Sequence, residues 1–319
     1  MDCLLPARLI QRLAFLTETS KHQLTVYLRL LQARNYAQAT LDAIVIAIRS
    51  LILSLPDQRK IALADNLTHA TSADIDCFIA AARSRGLAAV TINGHLSMLK
   101  ELFDFLREDG QMLTQPVIRR RHRLPTPTTL PKPIAEADLI AFFKAIDSVR
   151  DRLIFLLMLR CGLRVSEACS LTWNDIDLEA ASARINNGKG QVDRIVYLAP
   201  DVEQALQLWQ ARGTLSPYLF PSRRRRSGPL GRGDIHWQMK KYLRLAAIQA
   251  NYSPHCLRHT FATQLLNAGV SLEVLKELMG HRSIQMTLRY TKLYDATKRQ
   301  QYDQAMARIE NRQLRRGGE

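Results

Sequence analysis

The sequence lacks the features that define several classes of protein. Its densest apolar run, Leu153–Leu159, has seven residues, whereas a membrane-spanning helix needs about 18. The first residues, Met1–Pro6, show no basic segment followed by an apolar one, so no signal peptide is predicted. We find no internal repeat, and little low-complexity sequence beyond the arginine run Arg223–Arg226.

Cysteine is scarce and scattered. The chain has five cysteines, an odd number, and none of them forms a Cys-x-x-Cys pair. This pattern does not predict a disulfide framework or a zinc ribbon, and it favours a reducing cytoplasm.

Acidic residues are too few to balance the basic ones. Of 319 residues, 45 are Lys or Arg and 29 are Asp or Glu, which gives a formal net charge of +16. Residues 1–133 carry a net charge of +6 and residues 134–319 carry +10, so the excess is not confined to one tail. A basic protein of ordinary hydrophobic content predicts a polyanionic partner, with nucleic acid as the first candidate.

Residues 1–114 are predicted to form a helical domain. Apolar residues recur at helical spacing around Leu24–Leu31, from Leu41 to Ile52 with Thr40 as N-cap, and from Leu96 to Leu106. After Pro56 a short connection is expected to lead to a helix near Ser72. Four or so such helices make a small bundle, although a generic all-α domain of no particular function explains the pattern equally well.

Residues 115–133 are predicted to link two domains. Repeated prolines disfavour a regular helix, and this stretch has five Lys or Arg residues and no acidic residue. It is either a cationic strand along a phosphate backbone or a solvated spacer. The basic residues are Arg119, Arg120, Arg121, Arg123 and Lys132.

Residues 134–319 are predicted to form a mixed domain, mainly α with a small β-sheet. Helical patterns cover 135–147, 149–161, 165–173, 201–212, 234–249, 255–268, 271–279 and 283–290. Two short strands, 183–186 and 195–198, flank the turn sequence Asn187-Gly188-Lys189-Gly190. A last amphipathic stretch runs from Ala296 to Leu314.

Two fragments of this second half are candidates for chemistry. Arg164 follows a helix-ending glycine and has Glu167 three residues on, but alone this is an ordinary surface pair. Ser253-Pro254 predicts the start of a helix, which places His255 and Arg258 near its positive end, where a phosphate binds well.

Metal binding competes with phosphate binding at the second fragment. His255 and His259 have a spacing that a metal accepts, yet there is no His-Glu-x-x-His glutamate, so a zinc site is disfavoured. We interpret His259 as a buried, hydrogen-bonded histidine. Further along, Gly280-His281 ends a short helix, and Tyr290 stands nine residues after His281 with basic neighbours.

Together these positions resemble the tyrosine recombinases, the phage integrase family. The resemblance is carried by Gly-Leu-Arg164-Val-Ser-Glu, by the turn lysine and by the stretch His255-Cys-Leu-Arg258-His-Thr-Phe-Ala-Thr. It is completed by Leu-Met-Gly-His281 and the step to Tyr290. It covers the second half closely and the first half only as a helical pattern like the core-binding domain of that family. The tyrosine box reads Leu-Arg-Tyr-Thr-Lys where many relatives have Tyr-Thr-His, which leaves the subfamily open.

The resemblance implies that Tyr290 attacks a DNA phosphodiester and forms a 3′-phosphotyrosyl bond with release of a 5′-hydroxyl. Arg164 and Arg258 would hold the phosphoryl oxygens in place of metal ions, so neither a metal nor another cofactor is expected. His281 would donate a further hydrogen bond. Tyr294, one helical turn on, is the less favoured nucleophile.

The resemblance also implies the proton transfers. His255 would accept the proton of Tyr290, because an imidazole titrates near neutral pH. Lys189 would protonate the departing 5′-oxygen. Glu167 would hold Arg164 in place rather than touch the DNA.

Partners and pathway follow as further expectations. Duplex DNA would bind mainly through its backbone, with Arg223, Arg224, Arg225 and Arg226 beside Arg232 as one candidate patch and a solvated loop as its alternative. The tail Ala296–Leu314 would dock on a neighbouring copy, giving a tetramer on two paired sites in the cytoplasm at the nucleoid. A second recombinase or an accessory DNA-bending protein is a further candidate partner.

The short segment before the first clear helix predicts a simple-site recombinase of Xer type or one from a mobile element, without the arm-binding domain of larger phage integrases. A type IB topoisomerase, a DNA-binding regulator that does not cut, and a degenerate recombinase with an architectural role remain as alternatives.

Overall fold

The computed structural model describes residues 9, 11–127, 131–186, 193–213, 216–222, 228–281, 283–288, 290, 302 and 306. The chain divides into two compact units, Met1–Thr128 and Thr129–Glu319. Both are mainly helical and the second contains a small sheet, which confirms the predicted fold class. No helix in the described ranges is both long enough and apolar enough to span a bilayer.

The first unit is a helical bundle with an apolar core. Its helices are α1 (Glu18–Ala33), α2 (Gln38–Leu53), α3 (Asp57–Asp65), α4 (Ser72–Ser84), α5 (Ala89–Glu108) and the single turn α6 (Arg119–His122). Helix α2 packs along α5, and the apolar residues that the sequence pattern placed on one face of α1, α2 and α5 are all buried. The periodicity therefore identified the core of this unit correctly.

Two details of the first unit differ from the sequence-based expectation. Helix α2 begins at Gln38 with Ala37 as N-cap, so Thr40 is not the cap. The connection after Pro56 contains α3, which buries only Leu63 from its own length. Its four apolar residues are consecutive, from Ile61 to Ala64, rather than spaced at helical intervals, and that is why the sequence pattern missed it.

The predicted linker begins as part of the first unit. Residues Arg119–His122 form one helical turn, contrary to the expectation of no helix, because the closely spaced prolines begin only at Pro125. Arg121 forms an ion pair with Asp76 on α4. The Asn93 amide on α5 donates to the carbonyl of Leu124 (2.8 Å) and accepts from its N–H (2.9 Å). Residues 115–124 are therefore held on the bundle rather than free.

The second unit is built around a helix buried on all sides. Its elements are α7 (Glu136–Lys144), α8 (Val149–Arg160), α9 (Val165–Ser170), β1 (Ile176–Asp177), β2 (Ser182–Ile185), β3 (Arg194–Tyr197), α10 (Pro200–Gln210), α11 (Arg232–Leu245), α12 (Pro254–Asn267), α13 (Leu272–Met279) and α14 (Ile284–Leu288). Helix α8 contains the apolar run Leu153–Leu159 and packs against both α10 and α12. At the start of this unit, the N–H of Ile134 donates to Thr260 Oγ1 on α12 (2.8 Å).

The sheet is antiparallel with the order β1-β2-β3. In the β2–β3 pair, Ala183 lies opposite Val196 and Ile185 lies opposite Arg194. These four residues are buried, so the inner face of the sheet contains one charged side chain, that of Arg194. The two longer strands lie within one residue of their predicted bounds, and the two-residue strand β1 was not predicted.

Candidate active site

Arg164 is positioned by a sharp reversal after the central helix α8. Gly162 has a φ of +64°, and a Cβ there would lie 2.5 Å from the ring of Phe261 on α12, so a glycine is required by both strain and space. Arg164 then becomes the N-cap of α9. Its guanidinium donates through Nη1 to Glu167 (2.6 Å) and through Nη2 to the carbonyl of Gly280 (3.1 Å).

Glu167 is a buried carboxylate that joins two arginines. Its Oε2 accepts from the backbone N–H of Arg164 (2.8 Å), and both its oxygens accept from Arg194 on β3 (3.0 and 2.8 Å). Burial alone would raise its pKa, but the hydrogen bonds and charge of Arg194 dominate and lower it to about 2. Glu167 is therefore ionised, and it binds both the backbone N–H and the guanidinium of Arg164.

Arg258 is the most deeply buried of these cations, with 1% of its surface exposed. From α12 its Nη1 donates to the carbonyl of Gly162 and its Nη2 donates to that of Met279. Its Nη1 also lies 3.8 Å from Glu167. Burial and the nearby charge of Arg164 lower the pKa of Arg258 to about 9. Three guanidinium groups thus surround one carboxylate, which leaves an excess of positive charge for an anion.

His281 follows the end of α13. Gly280 adopts the left-handed conformation there (φ +59°), and its carbonyl is the one that binds Arg164. The His281 ring shares a hydrogen bond with Thr287 on α14 through Nδ1 (2.9 Å). The hydrogen bond from Arg164 to the Gly280 carbonyl therefore connects His281, the next residue, to the arginine cluster.

Tyr290 follows α14 and is 2% exposed, packed beside Phe261 and Met279. Its hydroxyl lies 2.7 Å from Nδ1 of His259, whose ring is buried. His255, the expected proton acceptor, is exposed one turn earlier on α12, with its ring edge-on to that of His259 and 4.4 Å away between centroids. The tyrosine, both histidines and Arg258 therefore meet along one helix.

The other predicted residues divide into two groups. Lys189, the run Arg223–Arg226, and Tyr294 lie outside the described residues, as does most of the tail 296–314. Arg119, Arg120, Arg121 and Arg123 are exposed on the first unit. Within the described ranges, no three His, Cys, Asp or Glu side chains form a group able to hold a metal ion.

Two features were missed by sequence reasoning. Arg194 belongs to the arginine cluster, but in the sequence it is one basic residue in a short strand. The only signal for its burial was the alternation of buried and exposed residues along β3, which turns Arg194 inward. Helix α11 presents exposed Arg232, His236, Lys240 and Arg244 at intervals of four residues, and of these only Arg232 was a predicted DNA contact. That spacing places them on one face of the helix and was readable from the sequence as a basic stripe.

Two family profiles match this chain. The profile of the phage integrase family matches residues 134–297, and that of the phage integrase N-terminal SAM-like domain matches residues 24–110. The tyrosine recombinase XerA of Pyrococcus furiosus is 36% identical over 229 residues, which cover 70% of this chain and 77% of XerA.

A second relative extends the likeness, and a solved structure shares the fold. XerD of Yersinia pestis is 31% identical over 291 residues, covering 85% of this chain and 92% of XerD. A crystal structure of a lambda integrase dimer (residues 75–356) bound to a COC′ core site superposes with a TM-score of 0.67. It covers 84% of this chain and 94% of that one, at 20% identity.

Proposed function

This chain belongs to the phage integrase family and is a tyrosine-type site-specific recombinase, and we propose that Tyr290 is its nucleophile. The observation that carries the assignment is the cluster itself. Arg164 and Arg258 lie 2.6 and 3.8 Å from one buried carboxylate, and the Tyr290 hydroxyl is bonded to the helix that bears Arg258.

In the proposed reaction the Tyr290 oxygen attacks the phosphorus of a DNA phosphodiester, and the bond from phosphorus to the 5′-oxygen breaks. The phenolic proton passes to a histidine, and the 5′-oxygen takes a proton from Lys189. The excess guanidinium charge stabilises the negative charge that builds on the phosphoryl oxygens. The 5′-hydroxyl of another strand then attacks the same phosphorus and gives its proton to Lys189, while the bond from phosphorus to the Tyr290 oxygen breaks and the histidine returns a proton to that oxygen. The phosphodiester bond is thus restored without another energy source.

The nucleophile is tested with a duplex that is nicked next to the cleavage point, so that the covalent adduct accumulates. The unchanged chain and Tyr294→Phe should form a protein–DNA adduct on a denaturing gel, and Tyr290→Phe should form none. Adduct formation by Tyr290→Phe would show that another residue attacks.

Two histidines compete as acceptor of the tyrosine proton. His259 holds the hydroxyl in the structure, whereas His255 is the exposed member of the pair and is the residue carried over from the family motif. We assign the transfer during cleavage to His255 and the seating of Tyr290 to His259. His255→Ala should then remove the dependence of the cleavage rate on pH near neutrality, whereas His259→Ala should lower the rate at every pH. The reverse outcome would exchange the two roles.

The DNA interface is proposed to include the α11 stripe of the second unit and the arginines Arg119, Arg120 and Arg123 of the first. All are exposed and cationic, as contacts to phosphate require. Arg121 also belongs to the predicted set, but its ion pair with Asp76 must open or be shared for a phosphate contact. Binding by each unit is expected to weaken steeply as salt is raised.

We propose a monomer or weak dimer in solution and a tetramer on two paired sites, with the tail 296–314 joining neighbouring copies. Truncation after Lys298 should abolish cooperative filling of paired sites while single-site binding persists, and unaffected cooperativity would refute the role of the tail. A mobile-element role predicts that footprinting with covalent trapping finds the site in DNA flanking the gene.

A further inference from the structure

Arg194 is a buried arginine that the proposed chemistry does not use. It opens strand β3, opposite Ile185, and its side chain is turned to the inner face of the sheet with 6% of its surface exposed. A guanidinium is rarely buried without several hydrogen-bond acceptors, so its partners indicate its purpose.

Those partners belong to two separate parts of the site. Nη1 and Nη2 donate to the two oxygens of Glu167 in a parallel pair (3.0 and 2.8 Å), while Nε donates to the carbonyl of Leu278 on α13 (2.8 Å). A forked contact of this kind fixes both distance and orientation. Arg194 therefore connects the carboxylate that holds Arg164 to the helix that ends at Gly280 and His281.

The backbone at Gly280 is fitted to this side chain. A Cβ on Gly280 would lie 3.0 Å from both Cδ and Nη1 of Arg194, so a glycine leaves the space that the guanidinium occupies. The carbonyl of the same Gly280 accepts from Arg164. Gly280 therefore leaves room for Arg194, because it has no side chain, and its carbonyl oxygen accepts a hydrogen bond from Arg164.

We propose that Arg194 is a positioning residue for strand cleavage, acting through Glu167 on Arg164. Its bonds keep Glu167 ionised and fixed, so that the Arg164 guanidinium is aimed before DNA binds. They also hold the end of α13, and with it His281, at a set distance from that guanidinium. This inference rests on the proposed function, in which Arg164 binds the scissile phosphate.

The test compares Arg194→Lys and Arg194→Ala with Arg184→Lys, the control on the neighbouring strand, where Arg184 is exposed. The rate of adduct formation at saturating nicked DNA and the half-saturating DNA concentration are measured separately. A lost charged hydrogen bond predicts that Arg194→Ala slows cleavage about 100-fold. Arg194→Lys should slow it about 10-fold, since lysine keeps the charge without the fork. Half-saturation should change less than twofold in each case, and the control should match the unchanged chain.

Dependence on Glu167 is tested by combining the changes. In a chain that already carries Glu167→Gln, adding Arg194→Ala should slow cleavage by less than threefold relative to Glu167→Gln alone, because the residue through which Arg194 acts is already altered. An unchanged rate in Arg194→Lys would overturn the proposal. So would a loss confined to half-saturation, or an equal loss in the Glu167→Gln background.

A measurement without DNA separates this proposal from the proposed function. Replacing Arg194 with lysine should lower the thermal unfolding midpoint more near pH 7 than near pH 3, since the Arg194 hydrogen bonds favour the ionised form of Glu167. Absence of adduct from the unchanged chain would refute the proposed nucleophile. A midpoint loss that does not vary with pH would refute the link from Arg194 to Glu167.

Discussion

Replacing Glu167 with glutamine should destabilise the second unit by an amount that depends on pH. Burial opposes ionisation of this carboxylate, but the Arg194 bonds outweigh it and lower its pKa from about 4.5 to about 2. A difference of about 2.5 pKa units between the folded and unfolded chain corresponds to about 3 kcal/mol of stability near pH 7.

The direction of the pKa shift determines how this stabilisation changes with pH. Because the folded pKa is depressed, the stabilisation is complete above the unfolded pKa and is lost as the pH falls toward the folded one. Glutamine carries no charge at any of these pH values. The difference in unfolding free energy between the two chains should therefore be about 3 kcal/mol near pH 7 and less than half of that near pH 3.

Intrinsic fluorescence provides a direct assay. All three tryptophans, Trp173, Trp209 and Trp237, lie in the second unit, so urea unfolding followed by tryptophan emission reports on the unit that contains Glu167. Glu179→Gln makes the same chemical change at an exposed position and should cost less than about 0.5 kcal/mol. An equal loss at both pH values would mean that shape rather than charge is responsible, and no loss at all would refute the stabilising role of the carboxylate.

Three further predictions concern a tight glycine, a buried hydrogen bond and the DNA interface. Gly162→Ala should cost about 2–4 kcal/mol in the same urea assay, because its Cβ would meet Phe261 at 2.5 Å, whereas Gly213→Ala, also at positive φ but with open space, should cost about 1 kcal/mol. Thr260→Val removes the acceptor of the Ile134 N–H and should lower the free energy of unfolding by about 1–3 kcal/mol. Thr263→Val on the same helix should be nearly neutral, because the Thr263 hydroxyl is buried with no hydrogen-bond partner in the described part of the chain. Lys240→Ala should weaken DNA binding about equally for all sequences and reduce the salt slope by about 1; an unchanged slope would remove α11 from the interface.

The predictable parts of the molecule are those in which neighbours along the chain decide the outcome. The periodic apolar residues of α1, α2 and α5 marked the buried face of the bundle, and Ser253-Pro254 marked the start of α12, because capping and amphipathicity are local properties. The sequence pattern did not predict helix α3, because only one of its own residues enters the core. It did not predict strand β1, because two residues are too few to show an alternation.

The sequence alone determined which chemical groups this protein has for attacking a phosphate and in what order they occur along the chain. Tertiary structure decided which of them meet. Arg164 and Arg258 belong to segments far apart in sequence, and they meet at Glu167 because α9 and α12 pack around the buried helix α8. Arg194 joins them from the sheet, and Tyr290 takes His259 rather than His255 as its partner. Such contacts depend on the distance and direction between elements, which spacing along the chain does not contain.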